Sequence, residues 1–160
     1  MIYDTFHSPL GVMRLCCDGE FLTAVTFTGQ TYEEKHIPED AVAGSHPVLE
    51  QTKVWLSQYF QGELPDFMPS FRLDGTPFQK QVWAALLQIP YGKTVTYGEL
   101  AKQLGCKSAQ AVGGAVGRNP ISILIPCHRV VGANGALTGY AGGVEKKEFL
   151  LNLEKHKVKM

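Results

Sequence analysis

The chain has 160 residues, 44% of them apolar, with 15 basic and 15 acidic side chains. That length suits one compact domain, or two small ones, able to bury a real core. No apolar run approaches the roughly 18–20 residues of a membrane span, and the start lacks the basic and apolar regions of a secretion signal, so a cytoplasmic protein with no membrane partner is expected.

Zero net charge hides a strong asymmetry. Residues 1–75 carry four basic and eleven acidic groups, and residues 76–160 carry eleven basic and four acidic groups, a net of −7 against +7. The C-terminal half can present a positive face to an anionic partner, or the two halves can simply attract each other; charge alone does not decide. The four cysteines, Cys16, Cys17, Cys106 and Cys127, form no Cys-x-x-Cys pair and no zinc-ribbon spacing. Free thiols in a reducing compartment are the expectation.

The first 28 residues read as antiparallel strands. FLTAVTF alternates, with Phe21, Val25 and Phe27 on one face and Ala24 on the other, and Asp18-Gly19 is a hairpin-turn signal. Residues 29–45 are polar and read as a loop. A helix is predicted from Pro47 to Phe60, where Val48, Thr52, Trp55 and Tyr59 share a stripe. Gly62 to Asp74, with Pro65 and Pro69, reads as a linker, and the domain boundary is placed there: 1–74, then 75–160.

The second half opens with a capping box. Thr76 caps, Pro77 suits the first turn, Gln79 reaches back, and Phe78, Val82, Ala85, Leu86 and Ile89 make the apolar face. Pro90-Tyr91-Gly92 ends this helix. Thr96 with Glu99 caps a short helix to about Leu104, Gly105 breaks it, and Ser108 caps another running to about Gly117. Helix, glycine-containing turn and helix form the outline of a helix-turn-helix. The last of these, SAQAVGGAVG, is nearly all small side chains, with two adjacent glycines that cost helix stability. Small residues admit a close backbone, and a neighbouring helix or DNA would serve equally well.

The chemistry is concentrated in ISILIPCHR, residues 121–129, where an apolar run delivers Cys127 beside His128 and Arg129. The thiolate is the reactive form of cysteine, and a nearby histidine or cation favours it. Taken alone, the pair reads more simply as a buried cysteine near two surface charges.

IPCHRVV, preceded by Asn119-Pro120 and followed by GYAGG and a helix containing KEFLLNLE, resembles the O6-alkylguanine-DNA alkyltransferases. The resemblance runs from about Thr76 to Glu154 and is most specific around Pro126-Cys127-His128-Arg129-Val130. It implies an α/β N-terminal domain (a ribonuclease-H-like, three-stranded antiparallel sheet with a helix) before a mainly α C-terminal domain with a helix-turn-helix. It also implies irreversible, single-turnover transfer of an alkyl group from O6 of guanine in double-stranded DNA to Cys127, without a cofactor, by a monomer. By the same resemblance, His128 is the base that takes the thiol proton through a water, and Glu154 orients that histidine. Asn119 braces the turn carrying the site, Tyr97 contacts the flipped base and its phosphate, and Tyr140 and Ala141 line the pocket. The helix bearing Gln110, Ala111, Gly113 and Gly114 enters the minor groove, while Arg118 and Arg129 are basic groups able to meet phosphate; Arg129 has a second reading as a structural donor.

Two positions depart from the pattern. Gln110 stands where the family usually has an arginine that fills the space left by the flipped base, so weaker flipping is expected. Ala141 replaces a frequent serine, with a small effect expected. Zinc stabilises the N-terminal domain of some such relatives. Here His7, Cys16, Cys17, His36 and His46 could supply ligands, but adjacent strand residues point to opposite faces and no metal site is expected. Two other classes compete. A lesion-sensing DNA-binding protein would lack the acceptor cysteine, and an unrelated cysteine hydrolase or thiol redox protein would not carry the helix-turn-helix outline.

Overall fold

The computed structural model describes residues 1–30 and 33–158, with side chains described to residue 156. Contacts divide the chain into two compact units. The first is Met1–Asp74 together with Pro120–Leu124, and the second is Gly75–Asn119 together with the chain from Ile125 onward. The segment 120–124, which the sequence offers as a lead-in to the nucleophile, thus packs within the first unit.

In the first unit, β1 (Ile2–Ser8), β2 (Gly11–Cys17) and β3 (Leu22–Phe27) form an antiparallel meander. The β2–β3 turn is built by Asp18, whose carboxylate accepts from the N–H groups of Glu20 and Phe21, and Gly19 supplies a φ of +97° that other residues rarely adopt. The stretch 29–45 is not a plain loop. It holds a one-turn helix, α1 (Glu33–His36), and a two-residue strand, β4 (Val42–Ala43), which pairs parallel to β1 and makes the sheet four-stranded in the order β3-β2-β1-β4.

That stretch explains why β3 is buried on both faces rather than one. Cys16 and Ala24 lie under Ile37, with Tyr3 and Ala41 packed beside them. The opposite face, with Met13, Leu15, Val25 and Phe27, is equally closed to solvent. The helix α2 (Pro47–Phe60) packs on β1 and β2. Its expected stripe is buried throughout, with Leu49 and Leu56 added and the Trp55 and Tyr59 rings stacked at 5.5 Å. Beside β3, the returning segment extends the ladder: Val25 donates to Pro120 O and Ser122 donates to Val25 O, both at 2.9 Å. Here Leu124 N–H bonds back to Ser122 O across Ile123, whose φ of +72° places a buried β-branched residue in the left-handed region.

The second unit contains α3 (Pro77–Leu86), β5 (Val95–Thr96), α4 (Tyr97–Gln103), α5 (Ala109–Gly117), β6 (Val130–Val131) and α6 (Val144–Val158), with short 3-10 turns at Cys127–Arg129 and Ala133–Gly135. Both capping boxes form as the sequence predicts: Thr76 with Gln79, and Thr96 with Glu99. Ser108 Oγ caps α5 by accepting from Ala111 N–H. Trp83 is the buried side chain that the predicted α3 stripe omits. Its indole N–H donates to Ala115 O at 2.9 Å and ties α3 to α5. Trp83 also forbids a side chain at residue 75, since a Cβ on Gly75 would stand 2.7 Å from its ring.

Candidate active site

The nucleophile is placed by backbone geometry. Pro126 (φ −81°, ψ 65°) centres an inverse γ-turn in which Cys127 N–H donates to Ile125 O at 2.8 Å. Asn119 fixes that turn from the other side, its amide donating to the same Ile125 carbonyl at 2.8 Å while its side chain also bonds the Cys127 thiol. A tight turn with its carbonyl doubly held leaves the sulfur little freedom. Cys127 is only 6% exposed, and burial pushes its thiol above the usual range, opposed by Asn119 and by the charge of Lys147.

The next two residues face inward to α6. His128 is fully buried, and its Nε2 bonds a Glu154 carboxylate oxygen at 2.6 Å. Arg129 closes on the same carboxylate with two of its three guanidinium nitrogens, Nε at 2.8 Å and Nη2 at 3.1 Å, while Nη1 donates to Ile89 O at 2.8 Å. Gly92 N–H adds a fourth hydrogen bond to Glu154 at 3.1 Å. Burial works to raise the Glu154 pKa, but His128 and Arg129 outweigh it and hold the carboxyl at about 2. Burial also keeps His128 below its ordinary value, more than Glu154 raises it. The pair is therefore a neutral imidazole beside a carboxylate. Because the carboxylate accepts from Nε2–H, the basic nitrogen of the ring is Nδ1.

Arg129 must be removed from the groups able to meet phosphate. The residue is 8% exposed and its guanidinium is committed to Glu154 and Ile89, with the Tyr91 ring 5.6 Å away. Of the two readings open from sequence, the structural donor is the one realised. Arg118 is half-buried and turns back on its own helix, Nη1 donating to Gly114 O. Lys93, Lys102 and Lys107 are exposed.

Tyr97, at the start of α4, stands beside α5. Its hydroxyl donates to Thr138 O at 3.4 Å, and its ring lies 3.6 Å from where a Cβ on Gly113 would be, an ordinary contact distance. Gly114 would meet only the Arg118 guanidinium at 3.4 Å, and Gly117 nothing. No neighbour among the described residues requires the glycines of α5. Ala109, Gln110 and Ala111 are exposed on the first turn of the same helix, and Gln110 is the one long side chain there. Tyr140 and Ala141 are half-buried in the loop before α6.

One participant escapes the sequence reading. Lys147 on α6 is fully buried, its ammonium donating to Thr138 O at 2.7 Å and Gly139 O at 3.2 Å, 5.7 Å from the centroid of the Tyr97 ring. The signal was present in the sequence: Lys147, Leu150 and Glu154 fall at i, i+3 and i+7, one face of the helix, and all three are fully buried.

Comparison with known proteins identifies the family. Residues 1–74 match the ribonuclease-like domain of 6-O-methylguanine DNA methyltransferase, and residues 77–156 match the DNA-binding domain of the same family. The chain belongs to the 6-O-methylguanine DNA methyltransferase family. A methylated-DNA–protein-cysteine methyltransferase of Mycobacterium tuberculosis is 49% identical over 96% of this chain and 92% of its own length. One from Methanosarcina acetivorans is 48% identical over 96% and 98%. Among solved structures, the M. tuberculosis protein in complex with DNA superposes with a TM-score of 0.89 at 44% identity, covering 98% of this chain and 94% of that one. The family's two domains, in this order, account for the whole fold described above. No group of three or more His, Cys, Asp or Glu side chains able to hold a metal occurs among the described residues, and no helix there is long and apolar enough to cross a membrane. Cys16 and Cys17 are both buried in β2.

Proposed function

We propose that this protein repairs DNA by moving the alkyl group from O6 of alkylated guanine irreversibly onto its own Cys127, acting once per molecule on double-stranded DNA as a monomer. The observation that carries this reading is the pairing of a rigidly held, buried cysteine with an adjacent neutral histidine whose other nitrogen is committed to an ionised carboxylate. Such a histidine can accept the thiol proton, and Glu154 stabilises the resulting imidazolium. The thiolate then attacks the alkyl carbon, the C–O bond breaks, and guanine takes up a proton as it leaves. Tyr97 and the backbone near Tyr140 and Ala141 are the groups assigned to that departing base. The product is a thioether, which ordinary hydrolysis does not reverse.

The target atom lies inside a stacked duplex, so the nucleotide must rotate out to reach Cys127. A helix whose exposed first turn is Ala109, Gln110 and Ala111, with glycines that no internal neighbour requires, suits a close approach to the minor groove. In this reading Gln110 fills the vacated space, Ala111, Gly113 and Gly114 admit the DNA backbone, and Arg118 with the exposed lysines of this unit meets phosphate.

Intact-mass measurement after incubation with duplex DNA carrying O6-methylguanine tests the assignment. The expected result is one methyl group per protein, localised to Cys127 and absent from Cys127→Ala. Lesion binding without a mass gain would instead mark a sensor of damage.

A further inference from the structure

The first unit contains a cavity that the transfer chemistry does not use. Its volume is about 630 Å³, within the range of small-molecule sites, and it lies between Arg14 of β2, the turn at Gly29–Gln30 and α1. The polar groups of its wall are incompletely matched. Gln30 is 8% exposed, and its Oε1 accepts from Phe27 N–H at 2.7 Å, but its Nε2 finds no acceptor among the described residues. A buried donor in that state is unfavourable, and a ligand that supplies an acceptor removes the penalty. The Arg14 guanidinium lies 4.8 Å from the centroid of the Tyr3 ring, and its paired Glu33 oxygen is 3.8 Å away, beyond hydrogen-bond length. Glu33 is buried and accepts from Thr26 Oγ1 and Gly29 N–H, with further lone pairs on each oxygen. Glu34 and Glu39 are exposed, and neither has a cation at ion-pair distance among the described residues. One arginine and three glutamates give the wall a net charge of −2.

We infer that this cavity binds a basic α-amino acid. Arg14 and Gln30 Nε2 are the donors that a ligand carboxylate requires, one charged and one neutral. Glu33, Glu34 and Glu39 are the counter-charges for an α-ammonium and a side-chain cation. Ile37, only 4% exposed, gives the methylenes between them an apolar wall. Each alternative ligand leaves part of the wall unanswered. An anion is repelled by the net charge, and a polyamine brings no acceptor to Gln30 or Arg14. No three carboxylates among the described residues converge closely enough to hold a metal ion. A ligand that binds here and not to the unfolded chain stabilises the first unit by mass action. The inference is independent of the reaction at Cys127.

Titration of the full, isotope-labelled chain with L-arginine, followed by NMR, tests this. The expected result is saturable movement of the Gln30 side-chain amide and the Gly29 and Ile37 backbone amides, with half-saturation at or below about 1 mM. Agmatine lacks the carboxylate and L-norleucine lacks the side-chain cation, so each should bind about tenfold more weakly or worse, the worth of one charge-assisted contact. Gln30→Glu keeps an acceptor for Phe27 N–H but removes the donor, and it should weaken L-arginine binding by about tenfold or more. Glu39→Gln, on the exposed rim, should fold like the wild type and weaken binding by about threefold. Amide signals outside the cavity report folding, and Glu39→Gln decides the matter if Gln30→Glu does not fold. No saturable movement by about 10 mM L-arginine overturns the inference. Agmatine binding as tightly as L-arginine overturns the amino-acid assignment, and wild-type affinity in the folded variants overturns the site.

Discussion

The two units bury different kinds of side chain. In the first, the interior is almost wholly apolar, from Met13, Leu15 and Val25 on one sheet face to Cys16, Ala24 and Ile37 on the other. Its buried carboxylate, Glu33, is satisfied locally by Thr26 Oγ1 and Gly29 N–H. In the second, His128, Arg129, Lys147 and Glu154 are all buried, and they converge on a single helix, α6, and a single turn. Buried charges are a costly way to stabilise a fold, and an ion pair is often no better than an apolar pair of the same size. Their concentration around Cys127, and their scarcity in the sheet, sets the proposed site apart from the rest of the molecule.

The sharpest way to break this contrast is Glu154→Gln. The substitution leaves Arg129 buried without its counter-charge and His128 without the carboxylate that would stabilise its protonated form. We expect the single-turnover rate of methyl transfer to fall by roughly 10²–10⁴-fold, the usual worth of a positioned acid–base group, and stability to drop by about 3–5 kcal/mol, as when one partner of a buried pair is removed. The acid response gives an independent check. Glu154 titrates at about 2 in the fold against an ordinary glutamate value of 4.5. Its contribution to stability is therefore complete above about 4.5 and is lost as pH falls through about 2. Urea midpoints measured from pH 6 down to 3 should decline for the wild type, and that part of the decline should vanish in Glu154→Gln. A variant with unchanged rate and an unchanged acid slope would mean the carboxylate is mere packing.

Leu15→Ala is the complementary test in the first unit. Leu15 is fully buried and lies across from Val25 in the ladder, so truncation should leave a cavity and cost about 2–5 kcal/mol. Under conditions where the variant remains folded, the transfer rate per folded molecule should match the wild type. A large loss of rate at full folding would show that the sheet takes part in the chemistry and would erase the distinction between the two units.

The sequence discloses these two halves unevenly, for physical reasons. Helix starts were legible because caps are local: Thr76 with Gln79, Thr96 with Glu99, and Ser108 each carry their signal within four residues. Two-residue strands such as β4, β5 and β6 carry no period to detect, so the fourth strand of the sheet and the β5–β6 pair stayed hidden. The cover over Cys16 and Ala24 was missed because Ile37 and Ala41 are isolated apolar residues in a polar stretch. At the site, Cys127, His128, Asn119 and Glu154 stood out through resemblance, whereas the direction taken by Arg129 depended on a carboxylate 25 residues away. Lys147 was legible in principle, as a charge on a buried helical stripe, but a lysine beside another lysine reads first as surface.

The smallest expected effect, and the one that refines the contrast most finely, lies on the exposed face of α5. Gln110 is solvent-exposed at the start of that helix, so replacing it should barely alter stability, within about 0.5 kcal/mol for an exposed position. In the proposed minor-groove approach, its influence falls wholly on the step that brings the lesion to Cys127. A glutamine can occupy the vacated space and donate hydrogen bonds, but it has neither charge nor a stacking plane. Gln110→Arg should therefore raise the single-turnover rate on duplex substrate by a fewfold, on the order expected when a group better offsets the unstacking of one base. The gain should shrink on a single-stranded substrate carrying the same lesion, where no partner base has to be replaced. Equal gains on both substrates would point to added phosphate attraction instead, and that gain would fall as salt is raised. No gain on either would remove Gln110 from the flipping step and leave the small residues around it to carry the approach to DNA alone.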